Sequence, residues 1–436
     1  MILLLLLIVA VLAVSIRRPG GIVAFPTVFS ALLLFWLMPQ LWAVRMSSSY
    51  MQGISNPFVI MAGLCLCAAV GGWLLARPRA YESQAAQFDL SRYPAIIPVT
   101  IGLTLVSVVL AVLLEGAQAE MDGVQQWSGR ATIIAFLAQL RIVPFGLALL
   151  LFLKRRDSLT TGLLIVNAAI ILPVALLYMR RSEMVDLAIV SLGVYWFARR
   201  RAPRLLVVAM LVVPIFAANF AIGELRTNAR EIYETTGDRP WITSPDLWSR
   251  FDIGSVVESN MERAVDVLNG IYYVAYTSMT NDISWGARTW NAMVFQFVPA
   301  QIFGPEVKFG MMIGDRGTAA SGVESLLGHH YRTGTTSTGI GSAFMELSYF
   351  GCLIFALIGY VMGRLYRAAS AGGVWPQIMY LVLLPVTLLA MTHGHEAFFT
   401  NIPLFAVITY VCSRLSRYDI AFSRREPGGR PERLPA

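Results

Sequence analysis

The sequence predicts an all-α polytopic integral membrane protein with about 11 transmembrane helices (roughly 10–12). Of the 436 residues, 56% are hydrophobic and only 14% are charged, and the mean hydropathy is +0.63. A soluble protein of this length needs far more charge on its surface. Two further observations agree: apolar runs of membrane-crossing length recur along the chain, and basic residues collect in alternate short loops.

About eleven apolar segments, each roughly 17–25 residues long, can be marked off between charged residues. They cover residues 2–16, 22–44, 57–75, 94–114, 131–153, 158–178, 184–198, 205–223, 340–363, 375–391 and 398–413. The first segment is short and has no basic residues ahead of it, which favours a membrane helix over a cleaved signal peptide. In the ninth segment, Gly359 and Gly363 have the spacing of a close helix–helix contact.

The segments divide the chain into four parts. Residues 1–225 hold transmembrane helices 1–8, and residues 340–415 hold transmembrane helices 9–11. Between them, residues 226–339 form one large loop. Its semi-apolar stretches are too interrupted to span, so we expect helices that pack on the outer membrane face or cap a cavity. Residues 416–436 form a basic tail that is predicted to be disordered.

Charge in the short loops predicts the orientation. Basic residues cluster on one side of the membrane, at Arg17–Arg18, Arg77, Arg79, Lys154–Arg156, Arg199–Arg201, Arg364, Arg367 and the tail from Arg414. The positive-inside rule makes this side cytoplasmic, so the N-terminus lies outside and the C-terminus inside. The net charge of +8 follows from the same bias, and nucleic acid is not an expected partner.

Arginines on the outer side are candidate ligands of phosphate or diphosphate. Arg226 and Arg230 fall on one face of a continuing helix and suit bidentate recognition, with pairing to nearby glutamates as the alternative. Arg180 and Arg181 stand at an outer turn against the charge bias, again with local ion pairing as the alternative. Arg141 lies about ten residues into the fifth segment, where a charge normally faces a cavity or a partner. Snorkelling to the interface is its alternative.

The histidines are His329, His330, His393 and His395, and all are predicted to lie outside. His393, His395 and Glu396 include zinc-ligand types, but they lack the usual spacing on one helix face, so no metal is expected. A general acid or base role suits groups that titrate near neutrality. Hydrogen bonding that holds a loop in place is the alternative for each histidine.

Segment nine is apolar except near its outer end. Ser342, Glu346 and Tyr349 are spaced i, i+4 and i+7, which predicts one polar helix face lining a water-accessible pocket. The Gly- and Thr-rich run 332–339 precedes this face and lets the backbone approach a bulky polar ligand closely.

Several stretches carry a resemblance to a known family. TSTGIGSAFMELSYFGCLIFALIGYVMG (336–363) resembles the Gly-x-x-x-Glu-x-Tyr-x-x-Phe-Gly stretch of bacterial O-antigen and exopolysaccharide repeat-unit polymerases of the Wzy type. VPAQIFGPEVK (298–308) resembles their proline-containing stretch that ends in a lysine, and 179–201 resembles their outer arginine turn. The plan of ten to twelve spans with one large loop covers the whole chain. The spacing from His329 to Gly339 is similar to a pattern in the related O-antigen ligases.

The resemblance implies glycosyl transfer at the periplasmic face of the bacterial inner membrane. A growing glycan on undecaprenyl diphosphate would be moved en bloc to the sugar of a fresh lipid-linked repeat unit, without a cofactor. The implied partners are the undecaprenyl-diphosphate-linked oligosaccharide, membrane lipid, a chain-length regulator and a flippase. An O-antigen ligase that transfers glycan to a lipid A core is the competing interpretation, followed by a transporter or flippase for lipid-linked sugars.

Under this interpretation, His330 or His329 is the expected base for the acceptor hydroxyl. Glu346 would orient the histidine or the sugar, or act as the base itself. A wider set of outer residues is expected to bind the diphosphate and the glycan. It comprises Arg141, Arg180, Arg181, Arg226, Arg230, Lys308, Arg332, Tyr349, His393, His395 and Glu396.

The loop charges predict where two engineered cysteines react in a cysteine-free background. A cysteine at Thr243 should be labelled by an impermeant maleimide in intact spheroplasts, whereas one at Ser423 should be labelled only after lysis. This follows from an outer loop and a cytoplasmic tail. Equal labelling at the two positions would contradict the orientation.

Overall fold

The computed structural model describes residues 1–18, 20–76, 90–119, 130–176, 181–199, 225, 228–229, 231–237, 244–252, 265–314, 318–331 and 335–418. This part of the chain is 86% helical and contains no strand, which confirms the predicted all-α class. Outside the described residues lie expected segment eight (205–223), most of the basic tail, Arg180, Arg226, Arg230 and Arg332.

Ten helices are described in the first half of the chain. In order, they are α1 (Ile2–Ile16), α2 (Phe25–Leu32), α3 (Met38–Ser47), α4 (Ser49–Ile54), α5 (Asn56–Ala76), α6 (Ile96–Ala119), α7 (Arg130–Ala138), α8 (Ile142–Arg155), α9 (Ser158–Leu176) and α10 (Arg181–Arg199). A π-helical turn at Leu33–Leu37 connects α2 to α3, and a 3-10 turn at Gln139–Arg141 connects α7 to α8.

The second half contains short helices followed by long ones. The helices described within the expected loop are α11 (Pro245–Ser249), α12 (Val265–Thr280), α13 (Ala287–Phe297), α14 (Ala300–Phe303), α15 (Pro305–Gly310) and α16 (Thr318–Leu327). They are followed by α17 (Thr338–Leu347), α18 (Cys352–Ser370), α19 (Val374–Thr392) and α20 (Glu396–Leu415).

Seven of the described helical stretches are long and apolar enough to cross a membrane. They are Phe25–Ser47, Ser49–Ala76, Ile96–Gly116, Thr132–Arg155, Thr338–Ser370, Val374–Thr392 and Glu396–Leu415. Two shorter apolar helices, Ile2–Ile16 and Ser158–Pro173, match further expected segments. The chain is a multi-pass membrane protein. The full count of about 11 spans and the orientation of the large loop stay predictions.

Glycines bring α5 and α18 into close contact. A Cβ atom on Gly359 would overlap the carbonyl oxygen of Ala69, and one on Gly72 would overlap the carbonyl oxygen of Ala356. A Cβ atom on Gly363 would also press against the α5 backbone. The contact expected from the spacing of Gly359 and Gly363 is therefore confirmed, and it is the small-residue packing typical of membrane helices.

Expected segment nine is two helices rather than one. α17 ends at Leu347, and Ser348 has a φ of 53° and a ψ of −138° before a 3-10 turn leads into α18. As one straight helix, the 33 residues Thr338–Ser370 would be about 50 Å long, well beyond a bilayer core of about 30 Å. Because α18 alone reaches about 28 Å, it is long enough to span by itself, and α17 then lies at the end of this helix that is opposite to Arg364 and Arg367.

The break corrects the expected polar face of segment nine. Ser342 and Glu346 are buried on α17, but Tyr349 lies beyond the break and is exposed. The Tyr349 ring meets the edge of Phe344 at a centroid distance of 5.0 Å. The three side chains therefore do not line one pocket.

Two adjacent glycines of α5 provide a matched test of this packing. Gly72→Ala should lower the free energy of unfolding by about 1–3 kcal/mol, because overpacking forces backbones apart. Gly71→Ala should leave it unchanged or raise it by about 0.5–1 kcal/mol through helix propensity, since the space around Gly71 is open. Thermal unfolding in detergent measures both variants, and equal midpoints would contradict the α5–α18 contact.

Candidate active site

Four ionisable side chains meet where α17, α19 and α20 come together. Glu346 is on the last turn of α17, Glu396 begins α20, and His395 lies in the turn between α19 and α20. Arg288 comes from the first turn of α13, within the expected large loop. This end of the helices is opposite to the end at which α18 and α20 carry Arg364, Arg367 and Arg414.

Glycines explain how these elements come so close. A Cβ atom on Gly339 would overlap the carbonyl oxygen of Ala390 in α19, and one on Gly341 would lie 3.0 Å from the Cα atom of Gly270 in α12. In the α19–α20 turn, a Cβ atom on Gly394 would collide with the Glu396 carboxylate. The short Gly-x-Gly stretch of α17 and the single glycine of the turn thus permit the contacts on which the site depends.

The carboxylate of Glu346 is buried and accepts two hydrogen bonds from the segment after α12. Its Oε2 atom accepts from the Ser284 hydroxyl at 2.6 Å, and its Oε1 atom accepts from the backbone N–H of Thr289 at 3.1 Å. Thr289 is in the first turn of α13, where backbone N–H groups have no partner within the helix. The carboxylate therefore caps α13 from another part of the chain, and the helix dipole favours its negative charge.

The backbone of α17 strengthens the same connection. The N–H groups of Ser284 and Trp285 donate to the carbonyl oxygens of Met345 and Glu346 at 2.9 and 3.0 Å. Carbonyl groups at the end of a helix need such partners. The break after Leu347 is thus held by the turn that precedes α13.

His395 is completely buried and is held at both ring nitrogens. Its Nδ1 atom is 2.8 Å from the hydroxyl of Ser342, and its Nε2 atom is 2.9 Å from the hydroxyl of Thr289. Burial lowers the pKa of this imidazole, an effect that the carboxylates of Glu396 and Glu346 oppose and that Arg288 supports. The neutral ring is therefore favoured near neutral pH.

Thr289 joins the two buried groups. Its backbone N–H contacts Glu346, while its hydroxyl contacts His395. Any change in the position of α13 is thus transmitted to both the carboxylate and the imidazole.

Arg288 and Glu396 form the more exposed edge of the site. The Arg288 Nε atom donates to Glu396 Oε1 at 3.2 Å, and the side chains are 32% and 15% exposed. The other oxygen of Glu396 lies 3.7 Å from His395 Nδ1. From the exposed edge inward, the site therefore runs from a guanidinium group through a carboxylate to an imidazole.

His329 belongs to a neighbouring hydrogen-bonded cluster. Its Nε2 atom is 2.8 Å from the Asn269 Oδ1 atom, and its ring stacks on Tyr272 at a centroid distance of 4.1 Å. Burial, and to a smaller extent the neighbouring His330, lower the pKa of His329. Asn269 also donates to Thr335 and Thr336. These contacts hold the polar run before α17 against α12.

The other predicted site residues have separate surroundings. His330 is 75% exposed and pairs with Glu324, whereas His393 is exposed beside the Thr392 hydroxyl. Arg141 is buried and forms an ion pair with Glu183. Arg181 begins α10.

Lys308 is also buried, and its ammonium group donates to the carbonyl oxygen of Phe295 at 2.8 Å. Of the predicted residues that are described, Glu346, His395 and Glu396 are thus brought together. His329, His330 and Tyr349 make their described contacts elsewhere.

Sequence reasoning missed Arg288, Ser284 and Thr289. Ser342 was recognisable from its helical spacing to Glu346. Arg288 is one of eight arginines in the expected loop 226–339 and has no comparable periodic signal. Only the contact between the turn before α13 and the end of α17 places it at the site.

The lowered pKa of His395 predicts a pH-dependent stability. Because the folded pKa is below the ordinary value of about 6.5, the unfolded chain binds more protons in this range. The stabilising contribution is present above pH 6.5 or so and is lost as the pH falls from there through the folded pKa. Thermal unfolding of wild type and His395→Gln in detergent, between neutral and mildly acidic pH, measures this loss.

His330→Gln is the matched control, because His330 is exposed. Wild type and His330→Gln should lose stability on acidification more steeply than His395→Gln. Since all three proteins keep Glu346, Glu396 and Arg288, their difference isolates the imidazole. Parallel profiles for all three would contradict a buried neutral His395.

Comparison with known proteins does not place the chain in a family. No protein-family model, curated protein or solved structure matches the chain. An interpretation of the site therefore depends on its own chemistry and on the short motifs in which the sequence resembles repeat-unit polymerases.

Proposed function

We propose that this protein is a membrane glycosyltransferase that polymerises lipid-linked oligosaccharide repeat units. In this proposal, the glycan on one undecaprenyl diphosphate is transferred en bloc to a sugar hydroxyl of a second lipid-linked unit at the periplasmic face of the inner membrane. The bond from the anomeric carbon to the diphosphate breaks, and its electron pair leaves with the diphosphate. The acceptor oxygen forms the new glycosidic bond and gives up its proton.

The observation that carries the proposal is the ion pair between Arg288 and Glu396. It lies at the exposed edge of a buried acid–base cluster, at the end of three apolar helices. Positive charge stabilises a departing lipid diphosphate, and guanidinium groups bind phosphate oxygens bidentately. The acceptor hydroxyl requires a proton acceptor. Both kinds of group stand side by side here.

We assign Arg288 to the diphosphate and Glu396 to the acceptor hydroxyl. Without substrate, the Arg288 guanidinium group is bound to the Glu396 carboxylate, which makes this carboxylate less available as a base. A bound diphosphate would compete for Arg288, and Glu396 would then be free to accept the proton. Binding of the donor would thus activate the base only when a glycan is ready for transfer.

His395 and Glu346 support this step from behind. The imidazole lies 3.7 Å from the Glu396 carboxylate and can share the proton that Glu396 accepts. Through Thr289, Glu346 holds both the imidazole and the first turn of α13 in place. His329 and His330 stay the sequence-based alternatives for the base, and Arg181, Arg226 and Arg230 stay candidates for further diphosphate contacts.

The proposal predicts the activity of single variants in a gene-deletion strain. Deletion should abolish the ladder of surface glycan while one repeat unit is retained on the core. Glu396→Gln should lower polymer formation about 10²–10⁴-fold, as expected for loss of a general base. Arg288→Lys should restore little polymer formation in the deletion strain, because the point charge of lysine cannot replace the bidentate guanidinium group.

The measurement uses lipid-linked repeat units purified from the deletion strain and variants at matched expression. His329→Ala, His330→Ala and Glu346→Gln are tested in parallel. If Glu396→Gln kept full activity and one histidine variant were inactive, that histidine would be the general base instead of Glu396. Loss of all glycan from the core on deletion would identify a ligase instead, and an intact ladder would refute both activities.

A further inference from the structure

The residues Trp285–Ile313, which we call the outer lobe, form a compact unit beside the candidate site. The lobe consists of residues 285–286, the helices α13, α14 and α15 with their connections, and the non-helical residues 311–313. The Asn291 side chain exchanges two hydrogen bonds of 2.8 Å with the backbone of Ile313. The indole N–H of Trp290 donates to the Met311 carbonyl oxygen at 2.7 Å. The end of the lobe is thus fastened to its first helix.

The surface of the lobe carries many exposed apolar side chains. Large apolar side chains are exposed along all three helices, with Ile302 at 74% and Phe303 at 55%. Phe295, Val307 and Phe309 extend the same kind of surface. Large apolar side chains that are exposed together in one unit indicate a contact with a protein or a membrane.

Charge is scarce on the lobe and is partly turned inward. Its charged residues are Arg288, Glu306 and Lys308. Arg288 belongs to the candidate site, and Lys308 is buried, with its ammonium group 4.1 Å from the centre of the Phe295 ring. Glu306 is therefore the only charge of the lobe outside the site that is exposed.

An aromatic contact connects the lobe to a membrane-crossing helix. Phe297, at the end of α13, meets Phe136 of α7 edge-on at a centroid distance of 6.0 Å. Phe136 is near the start of the candidate span Thr132–Arg155. The end of α13 therefore packs against the first turns of that candidate span, close to the boundary of the bilayer that the span would cross.

We propose that the outer lobe is a monotopic element that inserts its apolar surface into the adjacent leaflet of the membrane. The occupant of this surface is the acyl region of the bilayer that holds the spans. Most of the lobe backbone is helical and its lysine is internally bonded, so the lobe meets the main requirements for such insertion. Trp285, which is exposed beside the site, fits the position that tryptophan prefers at the membrane–water boundary. This inference is independent of the proposed enzymatic activity.

Spin-label accessibility in reconstituted bilayers tests the proposal. The four native cysteines are replaced by alanine in the full-length protein, and single labels are placed by Phe303→Cys or Val307→Cys. Val411→Cys is the control for lipid, because it is exposed on α20, a candidate membrane span. Ser325→Cys is the control for water, because it is exposed on α16. Collision rates with oxygen and with a nickel chelate are measured for each label.

Labels in the lobe should behave like the Val411 control, with oxygen collisions several-fold more frequent than at Ser325 and nickel collisions several-fold rarer. Nickel accessibility equal to that of the Ser325 control would show that the lobe faces water and would overturn the proposal. Low accessibility to both reagents would also overturn it, because protein would then cover the surface. The two lobe positions are independent, so one label that disturbs folding leaves the other as the test.

Discussion

Glu346 places a carboxylate among buried side chains at the end of the membrane spans, where an ion without partners would cost several kcal/mol. The Ser284 hydroxyl and the Thr289 backbone N–H meet this requirement from one segment. As a result, if the segment between α12 and α13 moved away from α17, the carboxylate would lose both hydrogen bonds. The orientation of α13, the position of Arg288 and the environment of His395 all follow from this constraint.

Close backbone packing makes that constraint effective. Gly339 and Gly341 allow α17 to touch α19 and α12, and Gly394 leaves room for the Glu396 carboxylate above the α19–α20 turn. In a membrane, where apolar surface gains little from association, such contacts and interhelical hydrogen bonds supply much of the specificity. The polar cluster and the small residues therefore act together: the glycines permit the approach, and the hydrogen bonds make one arrangement preferable.

Taken together, the proposed activity and the proposed membrane insertion place the site at the boundary between water and lipid. A lipid diphosphate that carries sugars has an apolar chain, a charged centre and a hydrophilic end. Arg288 opens α13 at the candidate site, and Phe297 closes it against a membrane span. A single helix thus reaches from the ionic site to the level of the bilayer. That placement would let the lobe keep its apolar surface in lipid while its first turn contacts the diphosphate.

By itself, the sequence determined the all-helical membrane class, because an apolar composition and the length of each run follow directly from the bilayer. It also marked Glu346, His395 and Glu396, since ionisable groups near membrane helices are costly and rarely without purpose. Tertiary structure alone decided that segment nine breaks after Leu347, that Tyr349 leaves the site and that Arg288 joins it. Each of these depends on hydrogen bonds between residues about sixty or more positions apart, such as Ser284 with Glu346 and Arg288 with Glu396. Helical periodicity reports only neighbours within a few turns, so contacts over that distance leave no trace in the local pattern.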